Sequence, residues 1–204
     1  MRFEGWVITG WAVAAMGTLV VILLALFGAS EEAAREVVRW SVRLGAVSFS
    51  AAFAARPLRQ LVANDATKWL LRNRRYVGLS FAVMHFTHLA ALGVLAVAFP
   101  AYFEGGVDAI TLYGGGVAYL LLAGMTLTSF DRTAAMIGRR GWKILHTSGA
   151  WLLWVVLAFN YTSAAVEQDV RYAPLSLLLI ATFVLRMWQR FAHRSAASVR
   201  PLPG

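Results

Sequence analysis

Long apolar segments alternate with short polar ones along the whole chain, and this pattern predicts helices that cross a membrane. The apolar segments have about the ~20 residues that a helix needs to span a hydrocarbon core. They lack the apolar-out, polar-in alternation of barrel strands, and lipid offers no partner to an open backbone edge. We therefore predict an all-α integral membrane bundle of six helices, over residues 6–27, 37–55, 77–99, 110–129, 143–163 and 173–188.

Charge in the connecting segments alternates between basic and acidic, which predicts the orientation of these helices. Two connections are basic, and their cations are Arg56, Arg59, Lys68, Arg72, Arg74 and Arg75, then Arg132, Arg139, Arg140 and Lys143. The other three are acidic or nearly neutral, and their charged residues are Glu31, Glu32, Arg35 and Glu36, then Glu104 and Asp108, then Glu167, Asp169 and Arg171. Because basic loops stay in the cytoplasm, both termini are predicted to be cytoplasmic and the number of spans to be even.

Composition agrees with a membrane protein and limits its chemistry. Of 204 residues, 59% are hydrophobic and 14% are charged, whereas soluble domains have roughly 45–50% apolar and about 25% charged residues. No polar stretch is long enough for a second domain, so we predict one membrane domain over 1–190 and a cytoplasmic tail over 191–204. Without cysteine the chain cannot form disulfides, thiolate-ligated iron–sulfur clusters or a thiolate nucleophile. The net charge of +9 follows the loop pattern, so it indicates contact with anionic membrane lipid and no nucleic-acid partner.

The longest connection, over residues 56–76, is amphipathic. Its apolar residues predict a short helix that lies along the inner membrane surface and is broken near Asn64 and Asp65. Pro57 is expected to end the second span, because the residue before a proline disfavours helical backbone.

Few ionisable side chains lie within the predicted spans, and these are functional candidates because charge in lipid is costly. They are Arg39, Arg43, His85, His88 and His146. The third and fifth spans both run outward, and at 1.5 Å per residue His85, His88 and His146 lie about 15, 20 and 9 Å above their inner boundaries. Residues three apart share a side of a helix, so His85 and His88 could both face the fifth span. Arg39 and Arg43 either bind an anionic outer ligand or extend to the headgroups.

Facing imidazoles are a typical axial pair for haem iron, in which one ring nitrogen binds the metal and the other N–H finds a neighbouring acceptor. Depth favours His85 as the partner of His146, and His88 remains the alternative. Three arginines at the inner ends of the spans could bind the haem propionates, namely Arg74, Arg75 and Arg140. Zinc fits less well, because no carboxylate or thiolate lies near the rings. The competing hypothesis is a haem-free scaffold or small transporter in which the histidines only form interhelical hydrogen bonds.

Two motifs carry a resemblance to a known family. The first is R-R-x-x-G-L with a histidine ten residues after the glycine, here Arg74, Arg75, Gly78, Leu79 and His88. The second is a basic loop that leads into W-x-x-L-H, here Trp142, Leu145 and His146. With these motifs the chain resembles the ferric-reductase-like transmembrane domain family, and within it the haem-binding membrane subunits of bacterial methionine sulfoxide reductase systems.

The resemblance implies a multi-pass b-type haem protein of the bacterial inner membrane that moves electrons outward. It implies a cytoplasmic flavin reductase or quinol as donor and a periplasmic reductase as acceptor, so that the chain is an oxidoreductase subunit acting with partners. Flavin or quinone are further cofactors that such a protein can hold. By family register, the third-span ligand is His88.

The chain departs from the family in the outer half of the fifth span. The family pattern has a second histidine there, where this chain has Phe159 and Asn160. Asparagine is not a usual haem ligand. We therefore expect one haem b in the cytoplasmic half, and a second, outer haem is the open alternative.

Overall fold

The computed structural model describes residues 3–101 and 109–198, without the side chains of 109–111 and 193–198. The described part is all helical and contains no strand, as the sequence predicts. Its helices are α1 Trp6–Phe27, α2 Glu31–Leu61, α3 Asp65–Arg72, α4 Arg74–Ala98, α5 Ala109–Leu127, α6 Asp131–Glu167 and α7 Ala173–Ser198, with a 3-10 turn over Val170–Tyr172. The predicted acidic pair Glu104 and Asp108 and the last six residues of the predicted tail, 199–204, lie outside the described residues.

Four helical segments are long and apolar enough to cross a membrane, and these are Trp6–Phe27, Arg74–Ala98, Asp131–Glu167 and Val170–Ala192. They contain the first, third, fifth and sixth predicted spans, which indicates a multi-pass membrane protein. The second and fourth predicted spans are helical but less apolar or shorter. Arg39 and Arg43 interrupt the apolar run of α2, and the apolar stretch of α5 covers only Leu112–Leu127. Where the sequence predicted six spans, the described part thus has seven α-helices with four clear spans.

The prediction that Pro57 ends the second span is wrong, because α2 continues through it to Leu61. A proline inside a helix cannot donate to the carbonyl one turn back, which here belongs to Phe53. In the structure this carbonyl accepts a hydrogen bond of 3.0 Å from Arg186 Nε on α7. A neighbouring helix therefore satisfies the acceptor that the proline leaves open.

Several connecting segments meet at one end of the bundle. Asn64 caps α3 by accepting a hydrogen bond from the Thr67 backbone at 2.9 Å, which confirms the predicted break. An ion pair between Arg72 and Glu4 of 2.6 Å ties α3 to the amino-terminal segment. A second pair, Arg75 to Asp131 at 2.9 Å, ties the start of α4 to the start of α6. These contacts bring together segments that the charge pattern assigns to the same side of the membrane.

Packing of the helices leaves a space between α4 and α6. α2 packs most extensively against α4, α1 lies against both, α5 packs on α6, and α7 packs on α2 and α6. The main core cluster joins α2, α4, α5, α6 and α7 and includes Phe49, Phe53, Phe81, Leu153 and Leu179. In the described part α4 and α6 make no extensive contact with each other, and both line the cavity that forms the candidate site.

Candidate functional site

A cavity of about 800 Å³ lies at the end of the bundle where α3 joins α4. Its polar lining comes mainly from helix ends and comprises Arg56, Arg72, Arg74, Arg75, Thr128, Asp131, Arg139, Trp142, His146 and Arg186. Its apolar lining comes mostly from residues at least one helical turn away from those helix ends, and it includes Phe49, Phe53, Leu79, Phe81, Leu122 and Leu153. The cavity is therefore amphipathic, with cations at one end and aromatic and aliphatic side chains at the other.

Positive charge in this lining exceeds negative charge. Asp131 is the one carboxylate among the described lining residues, and it pairs with Arg75. Arg72 is paired with Glu4. The other lining arginines have no carboxylate partner among the described residues, and these are Arg56, Arg74, Arg139 and Arg186. A cavity with this charge favours an anionic group.

His146 reaches the cavity from α6 and is held on two sides. The Trp142 ring, one turn earlier on the same helix, stacks on the imidazole with centroids 4.2 Å apart. Thr128 Oγ1 lies 3.0 Å from His146 Nε2. That hydroxyl has a single hydrogen, which it donates to the Gly124 carbonyl at 2.7 Å, so towards His146 it acts as an acceptor. With the hydroxyl hydrogen on the Gly124 carbonyl, a neutral His146 ring would carry its hydrogen on Nε2 and its lone pair on Nδ1.

His85 and His88 lie on one stripe of α4 and contact α2. The stripe begins with Gly78 and Phe81, which line the cavity, and the Phe81 and His85 rings are in contact, tilted by 45° with centroids 4.2 Å apart. His88 Nδ1 is 3.1 Å from the Val38 carbonyl of α2. A Cβ added at Gly45 of α2 would lie 2.7 Å from His85 Nδ1, so only glycine leaves room for this ring. Nδ1 of His85 is buried without a hydrogen-bond partner among the described residues.

These positions differ from the predicted arrangement in one respect. From the sequence, His85 and His88 could both face the helix of His146, whereas their described contacts are with α2, with Phe81, with Tyr119 of α5 and with each other. Neither histidine is among the lining residues of the cavity, whereas Phe81, which contacts the His85 ring, is. Helix α2 packs more closely on α4 than α6 does, and the sequence has no signal for this choice of neighbour.

Of the predicted propionate ligands, two line the cavity and one does not. Arg74 and Arg75 are among the lining residues. Arg140 is not, and its neighbour Arg139 is. A helical residue points about 100° away from the next one, so the helix start at Gly138 decides which of the two faces the cavity.

Sequence reasoning missed Arg186, although a signal for it existed. Arg186 lies within the sixth predicted span, 173–188, and an arginine inside a span is a functional candidate by the criterion applied to Arg39 and Arg43. In the structure it is half-buried and lines the cavity from α7. Arg56 was counted only as a loop cation and also lines the cavity.

No three His, Asp or Glu side chains of the described residues come together as a metal site. The three histidines therefore do not form a zinc site of their own. A haem site needs one or two imidazoles on separate helices, and the absence of a three-residue cluster does not bear on it.

The part of α6 that follows His146 has no histidine that could serve a second cofactor. Asn160 donates its amide to the Val156 carbonyl of its own helix at 2.7 Å and is exposed. Arg39 pairs with Glu36, and the Arg43 guanidinium lies 5.7 Å from the Tyr172 ring centroid. Beyond α6, a side-chain hydrogen bond from Arg171 lowers the pKa of Asp169.

Comparison with known protein families, with characterised proteins and with solved structures finds no match to this chain. The similarity to ferric-reductase-like domains therefore rests on the two sequence motifs.

Proposed function

We propose that this chain is a b-type haem protein of the bacterial inner membrane that passes electrons across the bilayer. The observation that carries the proposal is the amphipathic cavity of about 800 Å³ with His146 in its wall. Haem b has the same polarity, since it is a flat apolar macrocycle with two carboxylates on one edge. The volume is also within the roughly 300–1,000 Å³ of ordinary ligand pockets.

In this proposal His146 and His85 would hold the haem iron, and His88 is the alternative on α4. His85 lies one turn after the lining residue Phe81 on α4, and their rings are in contact. A neutral imidazole binds iron through a nitrogen that carries no hydrogen. When bound, haem iron supplies one-electron chemistry between its ferrous and ferric states.

The proposal includes six spans with both termini in the cytoplasm. Helices α2 and α5 would be the two crossings in addition to the four long apolar segments. Support comes from the alternation of basic and acidic connections. The contacts of Glu4 with Arg72 and of Asp131 with Arg75 at one end of the bundle also agree with it.

The partners follow from the family resemblance. A cytoplasmic flavin reductase or membrane quinol would deliver electrons, and a periplasmic reductase would receive them, with flavin or quinone as additional cofactors. We propose one haem for each chain, because Asn160 stands where the family has its outer histidine and bonds only to its own helix.

One structural observation favours the alternative, a haem-free scaffold. His88 is within hydrogen-bond distance of the Val38 carbonyl, and His146 of the Thr128 hydroxyl. Histidines that only join helices have such partners.

A difference spectrum of the purified protein, reduced minus oxidised, separates the two proposals. We expect a b-type α-band in the wild type and its loss in His146→Ala, because the variant lacks the one histidine among the described lining residues of the cavity. The control is His193→Ala, the same substitution near the carboxyl end of α7. A folded His146→Ala variant with normal haem content would contradict the assigned ligand.

The same measurement assigns the ligand on α4. If His85 is the ligand, His85→Ala loses the α-band, and His88→Ala keeps it with a shifted maximum. The reverse result would favour the family register and His88.

A further inference from the structure

Two half-buried arginines of the cavity have no anionic partner in the described part of the protein. Arg74 begins α4, Arg186 lies on α7, and both line the cavity. Two neighbouring arginines do have such partners, because Arg72 forms an ion pair with Glu4 and Arg75 with Asp131. Cations removed from water and unpaired are unfavourable, and their mutual repulsion rises as the surrounding dielectric falls. Such a pair is therefore expected to have a ligand.

The position of Arg186 is fixed by α2. Its Nε donates to the Phe53 carbonyl at 3.0 Å, which is the acceptor left open by Pro57. Its guanidinium carbon lies 3.8 Å from the centroid of the Phe53 ring, a distance typical of a cation–π contact. The two terminal amino groups have no acceptor among the described residues, so the planar donor fork is oriented and free to bind.

Arg74 is placed differently but faces the same space. It makes no hydrogen bond or ion pair with the described residues and lies at the polar end of the cavity. Arg56, the last lining residue of α2, is exposed at the same end. Guanidinium groups bind carboxylates through two parallel hydrogen bonds, and two such groups match a ligand with two carboxylates.

We propose that Arg74 and Arg186 each bind one of the two propionates of the haem, with Arg56 at the rim. This inference rests on the proposed function and adds a ligand-binding residue on α7 that neither sequence motif includes. It also excludes Arg140, which lies outside the cavity lining. Arg186, anchored on Phe53, would set the orientation of the macrocycle edge.

The test compares haem with its dimethyl ester, in which both carboxylates are masked. Each ligand is titrated into haem-depleted protein in detergent, for the wild type, Arg74→Gln, Arg186→Gln and the control Arg140→Gln. One charge-assisted hydrogen bond contributes about 1.5–3 kcal/mol, which corresponds to roughly tenfold to a hundredfold in affinity. We expect the wild type to prefer the free acid by at least about tenfold. Arg74→Gln and Arg186→Gln should each reduce that preference by about tenfold, and Arg140→Gln should leave it unchanged.

A second variant covers the case in which Arg186→Gln does not fold. Arg186→Lys keeps the charge without the planar fork, and it should retain part of the preference for the free acid. Equal affinity of the wild type for acid and ester would overturn the inference while leaving the proposed function intact. An equal loss in Arg140→Gln and Arg186→Gln would also overturn it. If neither ligand binds to folded wild-type protein, the proposed function fails, and the inference fails with it.

Discussion

In the proposed haem site, the hydroxyl of Thr128 would compete with iron for the His146 ring. If this buried hydroxyl donates to Gly124, it accepts from His146 Nε2, and the contact then favours the hydrogen on that nitrogen. Haem ligation through Nε2 requires the hydrogen to leave that atom and the contact to break. Ligation through Nδ1 would keep the contact, with Thr128 as the acceptor that orients the ring. The contact with Thr128 therefore affects which nitrogen of His146 would bind the haem iron.

Thr128→Val separates these two possibilities. If Nε2 is the ligand atom, the variant should bind haem about twofold to tenfold more tightly, because a competing hydrogen bond of roughly 0.5–1.5 kcal/mol is gone. If Nδ1 is the ligand atom, affinity should fall. The measurement is a haem titration of the haem-depleted protein followed by its absorption spectrum.

Thr87→Val is the matched control, since Thr87 makes the same kind of bond to its own helix, to the Val83 carbonyl, away from the cavity. A change of the same size in both variants would mean that Thr128 has no specific effect on His146.

At the scale of elements, a glycine break in α6 shapes the polar end of the cavity. Gly138 has φ 66° and ψ 170° inside the segment Asp131–Glu167, so the helix is broken there into a short arm and a long spanning part. The arm contains Asp131, which pairs with Arg75, and Ala134, which lines the cavity. Side chains other than glycine are strained in this backbone region.

Gly138→Ala should therefore destabilise the protein by about 1–3 kcal/mol. Gly141→Ala is the control, because Gly141 is regular helix and its added Cβ would meet Ile137 at an ordinary 3.5 Å. There, alanine should be neutral or stabilising by up to about 1 kcal/mol. The measurement is the thermal unfolding midpoint in detergent. A lower midpoint in Gly141→Ala than in Gly138→Ala would contradict this account of the break.

Helix positions could be predicted from the sequence because lipid imposes one length and one polarity on every span. Predictions from the sequence were wrong where a contact with a distant part of the chain changes what the local sequence favours. Pro57 reads as a helix end, yet Arg186 from a distant part of the chain satisfies the freed carbonyl of Phe53. Arg139 and Arg140 are equivalent in sequence, and the break at Gly138 distinguishes them.

For the site, the sequence predicts how far along its helix a residue lies, but not which neighbouring helix its side chain faces. The position along the helix axis follows from counting residues. His146, Arg74 and Arg75, which lie near the same end of their helices, line one cavity. The direction in which a side chain points depends on which helices pack together. Here α2, and not α6, lies against the His85 and His88 side chains. Sequence periodicity alone cannot choose between two apolar neighbours.

For the whole molecule, the orientation in the membrane is the prediction that constrains function most. The chain has no cysteine, so single cysteines can report the side of the membrane without background labelling. Lys68→Cys and Arg132→Cys should react only from the cytoplasm, and Glu32→Cys only from outside. All three side chains are exposed. The measurement is labelling of intact cells with a membrane-impermeant thiol reagent, compared with labelling of lysed cells.

Each pair of sites tests one helix whose crossing rests on the proposal. If Glu32→Cys and Lys68→Cys react from the same side, α2 does not cross. If Lys68→Cys and Arg132→Cys react from opposite sides, α5 does not return across the membrane after α4. Either result would contradict the six-span bundle.

The ratio of haem to chain in folded, membrane-inserted protein supplied with haem tests the central claim most directly. We predict one haem for each wild-type chain and none for His146→Ala, since His146 on α6 is the one histidine among the described lining residues of the cavity. A wild-type preparation that stays free of haem would contradict the claim that the cavity is a haem site, and a ratio near two would contradict the single site.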